Sequence, residues 1–160
     1  MLINFKDLPA EARVWIYQAN RPFTEEELEE IKPELENFLT AWTAHGASLK
    51  AAYTIKYNRF IVFGLDQEIN AASGCSIDAS VHFIQSLEKK YKIDLLDKMN
   101  VTFKQGQYVA HKTLLDFKKM VKNKSVSANT IVFNNLVNNK QEFIQDWEVP
   151  LKESWHSRFL

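Results

Sequence analysis

The chain contains few of the residues that cross-link or interrupt a fold: its 160 residues include one cysteine, four glycines and four prolines. A single cysteine excludes an internal disulfide, as is typical of proteins from a reducing compartment. No apolar run approaches the ~18 residues of a membrane helix, and the N-terminus lacks the basic and apolar regions of a signal peptide. We therefore expect a soluble, cytoplasmic protein without membrane insertion.

An excess of charge of either sign is also absent. Twenty acidic and twenty basic residues cancel, so no bulk field attracts nucleic acid or anionic lipid. The charges are segregated, because residues 1–48 carry nine acids and four bases while residues 86–124 carry ten lysines and four acids. The second segment has no arginine, the residue best suited to bidentate phosphate contacts. We expect no nucleic-acid partner and interpret both segments as solvated faces, with docking of an acidic partner as the alternative.

The composition that is present describes an ordinary globular protein. An apolar content of 46 % and an aromatic content of 12 % are sufficient for a packed core. A chain of this length buries about 70 % of its unfolded surface. We predict a single domain, residues 1–160, with a core of residues 1–104 and a C-terminal extension, residues 105–160, packed on it.

Hydrophobic periodicity predicts the order of the elements. Strands are expected at residues 12–19, 51–57, 59–65 and 100–104, with helices between the first and second and between the third and fourth. The first helix opens at a capping box, Thr24 with Glu27, and continues to Gly46, with Pro33 predicting a kink or a brief break. The order β-α-β-β-α-β predicts an α+β protein with a ferredoxin-like antiparallel sheet and helices on one face. A β-hairpin and further helices are expected to follow.

The segment Ser73–Asp78 holds the only cysteine and lies where a strand gives way to a helix. Unpaired N–H groups at a helix start can bind an anion, and they lower the pKa of a nearby thiol. The segment therefore predicts a small anionic ligand. The ligand- or anion-binding candidates are Ser73, Gly74, Cys75, Ser76 and Asp78.

The predicted topology adds two residues to this segment. The first helix ends near His45 and the loop after the third strand begins at Asp66, so both are expected at the same rim as Cys75. A cysteine, a histidine and a carboxylate have the ingredients of an activated thiol, which makes these three the catalytic candidates. The alternative is structural: Cys75 is then a small buried apolar residue, Ser76 an N-cap and His45 a cation at a helix C-terminus.

The segment Ser73–Asp78 and the closing segment Ser154–Leu160 resemble a group of small uncharacterised bacterial proteins that are sometimes labelled ABC transporter ATPases. The resemblance covers most of the chain and implies no established activity, cofactor or catalytic residue. A Walker A loop needs G-x-x-x-x-G-K-[ST], and no glycine of this chain precedes a lysine. We therefore expect no ATP hydrolysis. No H-x-x-x-H or C-x-x-C spacing indicates a metal site either.

Two functions stay open. The first is a module that binds a protein partner or a small ligand, with a homodimer as one form; it is favoured by the lack of a complete catalytic motif. Four tryptophans and eleven phenylalanines could supply a contact surface as well as the core. The second is a small enzyme with an anion-binding or reactive-thiol site around Cys75. The sequence does not decide whether the chain is an enzyme and indicates no cofactor.

Overall fold

The computed structural model describes all residues, 1–160, and the chain divides into two units, Met1–Leu96 (unit 1) and Asp97–Leu160 (unit 2). The helices are α1 Glu25–Ala41, α2 Gly74–Tyr91, α3 Leu114–Lys122 and α4 Lys140–Asp146. The strands are β1 Arg13–Gln18, β2 Thr43–Ala44, β3 Ala47–Ser48, β4 Lys50–Lys56, β5 Phe60–Asp66, β6 Asn100–Gln105, β7 Tyr108–Thr113, β8 Ile131–Phe133 and β9 Glu148–Pro150. Short 3-10 helices cover Phe5–Asp7, Leu151–Glu153 and Trp155–Phe159. No helix has the length and apolar character needed to span a bilayer.

Unit 1 is built on a three-stranded antiparallel sheet with the order β1-β5-β4. Strand β5 is central, and its register aligns Val62 with Ile16 of β1 and Phe63 with Tyr53 of β4. The apolar run of β5 is explained by this position, because a strand covered on both faces has no solvated side. The core joins α1, α2 and β5 through Ile31, Leu35, Leu39, Ile84, Leu87, Tyr91, Ile61, Phe63 and Leu65.

A glycine in the middle of β5 lets the N-terminal segment approach the sheet. A Cβ on Gly64 would lie 2.3 Å from Cδ1 of Leu8 and 3.1 Å from Cε2 of Phe5. Leu8 itself is buried. The segment that contains the first 3-10 helix therefore packs where only a residue without a side chain leaves room.

The expected mixture of antiparallel sheets and helices is confirmed, but the ferredoxin-like arrangement is not. Its fourth strand should pair with β1, whereas β6 pairs with β7 along Asn100–Gln105 and with β8 at Phe103. Both edges of β6 are thus occupied within unit 2, which leaves no edge for β1. The whole of β6 accordingly belongs to unit 2, which begins at Asp97.

The first helix is shorter than its apolar spacing predicts. α1 ends at Ala41, and Trp42 leads into β2 and β3, a two-residue hairpin pair. His45 and Gly46 form its turn with φ angles of 51° and 79°, a left-handed pair typical of tight hairpins. His45 is therefore a turn residue, and the interpretation as a cation at a helix C-terminus is wrong. Pro33 is exposed inside an uninterrupted helix.

Unit 2 is a second antiparallel sheet with the order β7-β6-β8-β9. The predicted C-terminal hairpin is confirmed as β6 and β7, which turn at Gly106 with a φ of 62°. Helix α3 packs against this hairpin. The buried core of the unit consists of Val101, Phe103, Phe117, Val126, Val132 and Leu151.

Candidate functional site

The N-terminus of α2 is closed by two serines. The N-cap is Ser73, not Ser76 as predicted: its Oγ accepts from the Ser76 N–H at 3.1 Å, and its own N–H donates to Ser76 Oγ at 3.2 Å. Ser76 Oγ also donates to the carbonyl of Thr43 at 2.7 Å. The two hydroxyls that we considered for an anion therefore complete a reciprocal cap and a tie to β2.

The same contacts bring two of the predicted segments together. Trp42 Nε1 donates to the Ser76 carbonyl at 2.8 Å, next to the hydrogen bond between Ser76 and Thr43. Asn70 Nδ2 donates to the Ser48 carbonyl at 3.3 Å. The hairpin that carries His45 is thus attached to the start of α2.

The three catalytic candidates do not interact with one another. Cys75 is a free, exposed thiol and His45 is exposed. The Asp66 carboxylate accepts from the Glu68 N–H at 3.0 Å and lies 3.8 Å from Lys50 Nζ. No hydrogen bond or ion pair joins Cys75, His45 and Asp66, so the hydrogen-bonded arrangement of thiol, imidazole and carboxylate is not formed.

The two remaining ligand-binding candidates of the segment, Gly74 and Asp78, are also exposed. A Cβ on Gly74 would meet no atom within 4 Å, and its φ is not left-handed. Exposure of Cys75 also removes the structural interpretation of this residue as a small buried apolar side chain.

A cleft of about 580 Å³ lies elsewhere in unit 1. Its walls are the N-terminal segment, one stripe of α1 and the outer part of β4, and the residues that line it are Leu2, Ile3, Asn4, Phe5, Leu28, Lys32, Glu36, Tyr53, Thr54, Ile55 and Asn58. Its volume lies within the ~300–1,000 Å³ typical of ligand sites. The cleft contains none of the residues that we singled out from the sequence.

The cleft runs along an open edge of the sheet. β4 pairs with β5 on one side, and on the other side only Ala51 is paired, through Ala51 N–H to Met1 O at 3.0 Å and Ile3 N–H to Ala51 O at 2.8 Å. Alternate residues of a strand direct their backbone groups to the same edge. The N–H and C=O groups of Tyr53 and Ile55 therefore point to the edge that the N-terminal segment leaves unpaired.

One hydrogen bond crosses the cleft wall and fixes a side chain. The hydroxyl of Tyr53 donates to Glu36 Oε2 at 2.8 Å. Burial of the phenol, together with the hydrogen bond and the negative charge of Glu36, raises the pKa of Tyr53 to about 12. The tyrosine is therefore neutral under ordinary conditions and holds α1 against β4 beside the open edge.

Sequence reasoning missed the cleft because strand order decides which strand is an edge. One signal was available: Lys50 and Lys56 stand at the two ends of β4. Lysine at strand ends is one of the devices that protect edges from aggregation. The central strand β5 has no lysine.

Comparisons with known proteins leave the site without a relative. No protein-family model, curated protein or solved structure matches this chain. The resemblance to bacterial proteins labelled ABC transporter ATPases therefore stays a prediction. No group of three or more histidine, cysteine, aspartate or glutamate side chains is placed to hold a metal ion.

Proposed function

We propose that this chain is a protein-binding module in which the open edge of β4 takes up an extended peptide segment. The observation that carries the proposal is the pair of residues, Tyr53 and Ile55, whose unpaired N–H and C=O groups face the cleft. A strand added there satisfies these backbone groups. Such strand addition derives affinity from main-chain hydrogen bonds and specificity from alternate side chains.

The dimensions of the edge suit a short segment. The open part of β4, Tyr53 to Lys56, is about 13 Å long at the usual rise of a strand. Ile3 to Phe5 bound it at one end and Asn58 at the other. The N-terminal segment already pairs with Ala51 of this edge. A partner of about four extended residues would continue that pairing into the cleft.

The charge of α1 selects the kind of peptide. The helix contains seven glutamates and one lysine. Glu25 and Glu29 are exposed and lie three residues before Leu28 and Lys32, which line the cleft. Residues three apart on a helix are surface neighbours. The peptide is therefore expected to carry lysine or arginine, whose attraction to this helix raises the association rate.

The alternative, a small enzyme around Cys75, has less support. The serine hydroxyls of that segment are used by the cap, and no neighbour activates the thiol. We also keep a cytoplasmic location as a proposal, on the single cysteine. The order β1-β5-β4 agrees with the first three strands of a ferredoxin-like sheet, so we propose that kinship for unit 1 alone.

An NMR titration tests the proposal. The probe is the hexapeptide acetyl-Lys-Val-Thr-Val-Lys-Thr-amide, added to about 1 mM. We expect the amide resonances of Tyr53 and Ile55 to shift and their hydrogen exchange to slow. A control peptide in which one lysine and one valine are replaced by glutamate should bind more weakly, most clearly at low salt.

Two variants separate the backbone edge from the side chain. Ile55→Pro removes an outward N–H that β5 does not use, a position where an edge strand accepts proline. Ile55→Val trims the side chain and keeps the N–H. We expect about a tenfold loss of affinity for the first and less than about twofold for the second. Equal binding by both variants, or peptide-induced shifts remote from β4, would show that the edge is not the site. If the proline variant does not fold, a peptide N-methylated at alternate residues makes the same distinction on the native protein.

A further inference from the structure

Arg59 stands at a fixed point of unit 1, at the end of the hairpin that joins β4 to β5. Its N–H donates to the Lys56 carbonyl at 3.0 Å, and its carbonyl accepts from the Ala19 N–H at 2.9 Å. The preceding residues, Tyr57 and Asn58, are both left-handed, with φ angles of 55° and 51°. The Asn58 carbonyl accepts from the Phe23 N–H at 2.7 Å. The backbone of Arg59 is thus held from both sides.

The side chain of Arg59 is buried and has no counter-charge. The residue is 5 % exposed, and the guanidinium Nε and Nη1 are enclosed without a hydrogen-bond partner. No carboxylate forms an ion pair with it, in contrast to Arg21, whose Nη1 lies 2.8 Å from Glu27 Oε1. Burial lowers the pKa of Arg59, which reports the same loss of hydration.

A guanidinium in this state is unfavourable without a ligand. An arginine stays protonated inside proteins, so it cannot escape the cost of desolvation by losing its proton. Buried charges are normally paired, and each buried polar group without a partner requires an explanation. The planar fork of five donors matches the oxygens of a phosphate or a carboxylate.

We propose that Arg59 is the anchor of a binding site for a small oxyanion, either a phosphate group or a carboxylate. Because Nε and Nη1 are enclosed in the free protein, the anion reaches them when the end of the hairpin around Arg59 opens, and it then accepts hydrogen bonds from both atoms. Arg59 follows Asn58, which lines the cleft, but is not itself a lining residue. The test below uses no peptide, so this proposal and the function proposed above can fail separately.

Phosphate and succinate distinguish the two sources of oxygen ligands. The thermal stability of the full chain is measured with inorganic phosphate, with succinate and with chloride at equal ionic strength. We expect a saturable rise in Tm with one of the two oxyanions and none with chloride, as mass action requires for a ligand of the folded state. Phosphate alone points to a phosphorylated ligand and succinate alone to a carboxylate. A Tm that follows ionic strength equally for all three salts overturns the proposal.

Two variants locate the effect. Arg59→Met removes the buried charge with little change in length, so we expect a higher Tm without oxyanion and at least a tenfold weaker oxyanion response. Lys56→Met removes an exposed charge of the same hairpin, and we expect it to keep the response. A response that survives Arg59→Met contradicts the proposal.

A spectroscopic measurement keeps the test valid if Arg59→Met does not fold. The Nε–H resonance of Arg59, identified by its loss in Arg59→Lys, should move on addition of the oxyanion. The Nε–H resonances of Arg13, Arg21 and Arg158 serve as internal references. A stationary Arg59 resonance would overturn the proposal on the native protein.

Discussion

Units 1 and 2 both pack aromatic rings against one another, but only unit 2 encloses an imidazole among them. In unit 1, Phe38 of α1 and Phe83 of α2 stack with their ring centroids 4.5 Å apart and their planes at 4°. In unit 2, Phe117 of α3 meets the imidazole of His156 at 6.0 Å. A phenyl ring does not titrate, whereas an imidazole does. The two units should therefore differ in their response to acid, although both are stabilised by apolar burial.

The largest expected effect is acid destabilisation of unit 2. His156 is 2 % exposed, and burial, with a smaller contribution from Arg158, lowers its pKa from 6.5 to about 4. Between these two values the unfolded chain binds more protons than the folded one, so stability falls as the pH falls. The full contribution is about 3 kcal/mol, present above pH 6.5 and lost by about pH 4. Hydrogen exchange of the Phe103 and Val132 amides, followed across this range, measures it.

A histidine variant checks the assignment. Ser154 Oγ lies 2.7 Å from His156 Nδ1. The side-chain amide of an asparagine at position 156 can place a polar atom where Nδ1 lies in the native protein. His156→Asn should therefore flatten the pH dependence, whereas His82→Gln, at an exposed position of α2, should leave it unchanged. A slope that persists in His156→Asn would contradict the assignment.

The second effect concerns the close approach at the centre of unit 1. Gly64→Ala places a Cβ against Leu8, and we expect a loss of about 2 kcal/mol because the buried leucine must move. Chemical denaturation followed by hydrogen exchange of the β5 amides measures the loss. Gly106→Ala serves as the matched control in unit 2, since a Cβ there meets nothing and only its φ of 62° is strained. Undiminished protection in β5 would show that the N-terminal segment adapts freely.

The third effect concerns a salt bridge of unit 1, between Arg21 and Glu27, that is lost only in stronger acid. Arg21 binds both oxygens of Glu27, at 2.8 and 2.9 Å, and the Tyr91 carbonyl at 2.9 Å, which joins the start of α1 to the end of α2. The hydrogen bond from Arg21 lowers the pKa of Glu27 to about 2. Its stabilisation is complete above pH 4.5 and is lost as the pH falls towards 2. Because Arg21 is partly exposed, we expect Glu27→Gln to cost only about 1–2 kcal/mol.

The matched control for this salt bridge is Glu29→Gln, which removes an exposed glutamate of the same helix. Urea denaturation at neutral pH should show a change below about 0.5 kcal/mol for this variant. Together with the histidine, the salt bridge predicts that unit 2 weakens first on acidification and unit 1 second. Loss of both units in one transition near pH 6 would contradict that order.

The smallest effect is expected at the α2 N-terminus. Gly74→Ala introduces a Cβ that meets no atom within 4 Å, and the helical backbone there accepts alanine. We expect a gain of at most about 0.5 kcal/mol, since fewer unfolded conformations are lost on folding. Thermal unfolding measures this change. A clear loss of stability would mean that the glycine has a role that its surroundings do not reveal.

Local rules predicted the elements whose partners lie close in sequence. The capping box of α1 forms as expected, with Thr24 Oγ1 accepting from the Glu27 N–H at 3.1 Å. The same three-residue spacing recurs at the start of α4, where Asn139 Oδ1 accepts from the Glu142 N–H at 2.8 Å. Both contacts span three residues. Such interactions are formed whatever the distant chain does, so the pattern alone is enough.

Predictions failed where a residue's role depends on distant partners. Ser73 takes the N-cap position of α2, and the Ser76 hydroxyl accepts from the Ser73 N–H and donates to Thr43, 33 positions earlier. Pro33 does not break α1, which is helical from Glu25 to Ala41 around this exposed residue. The strand 100–105 leaves the first sheet because two nearer strands take both of its edges.

The amino-acid sequence by itself determined the order of the main helices, the cap of α1, the hairpin of β6 and β7 and the α+β class, because periodicity and capping act over a few residues. Only the tertiary structure decided that β4 is an edge, that Cys75 is exposed and that the Arg59 guanidinium is enclosed without a carboxylate. Strand order, exposure and charge pairing arise between residues that are far apart in the chain. A pattern read along the sequence carries no distance between them.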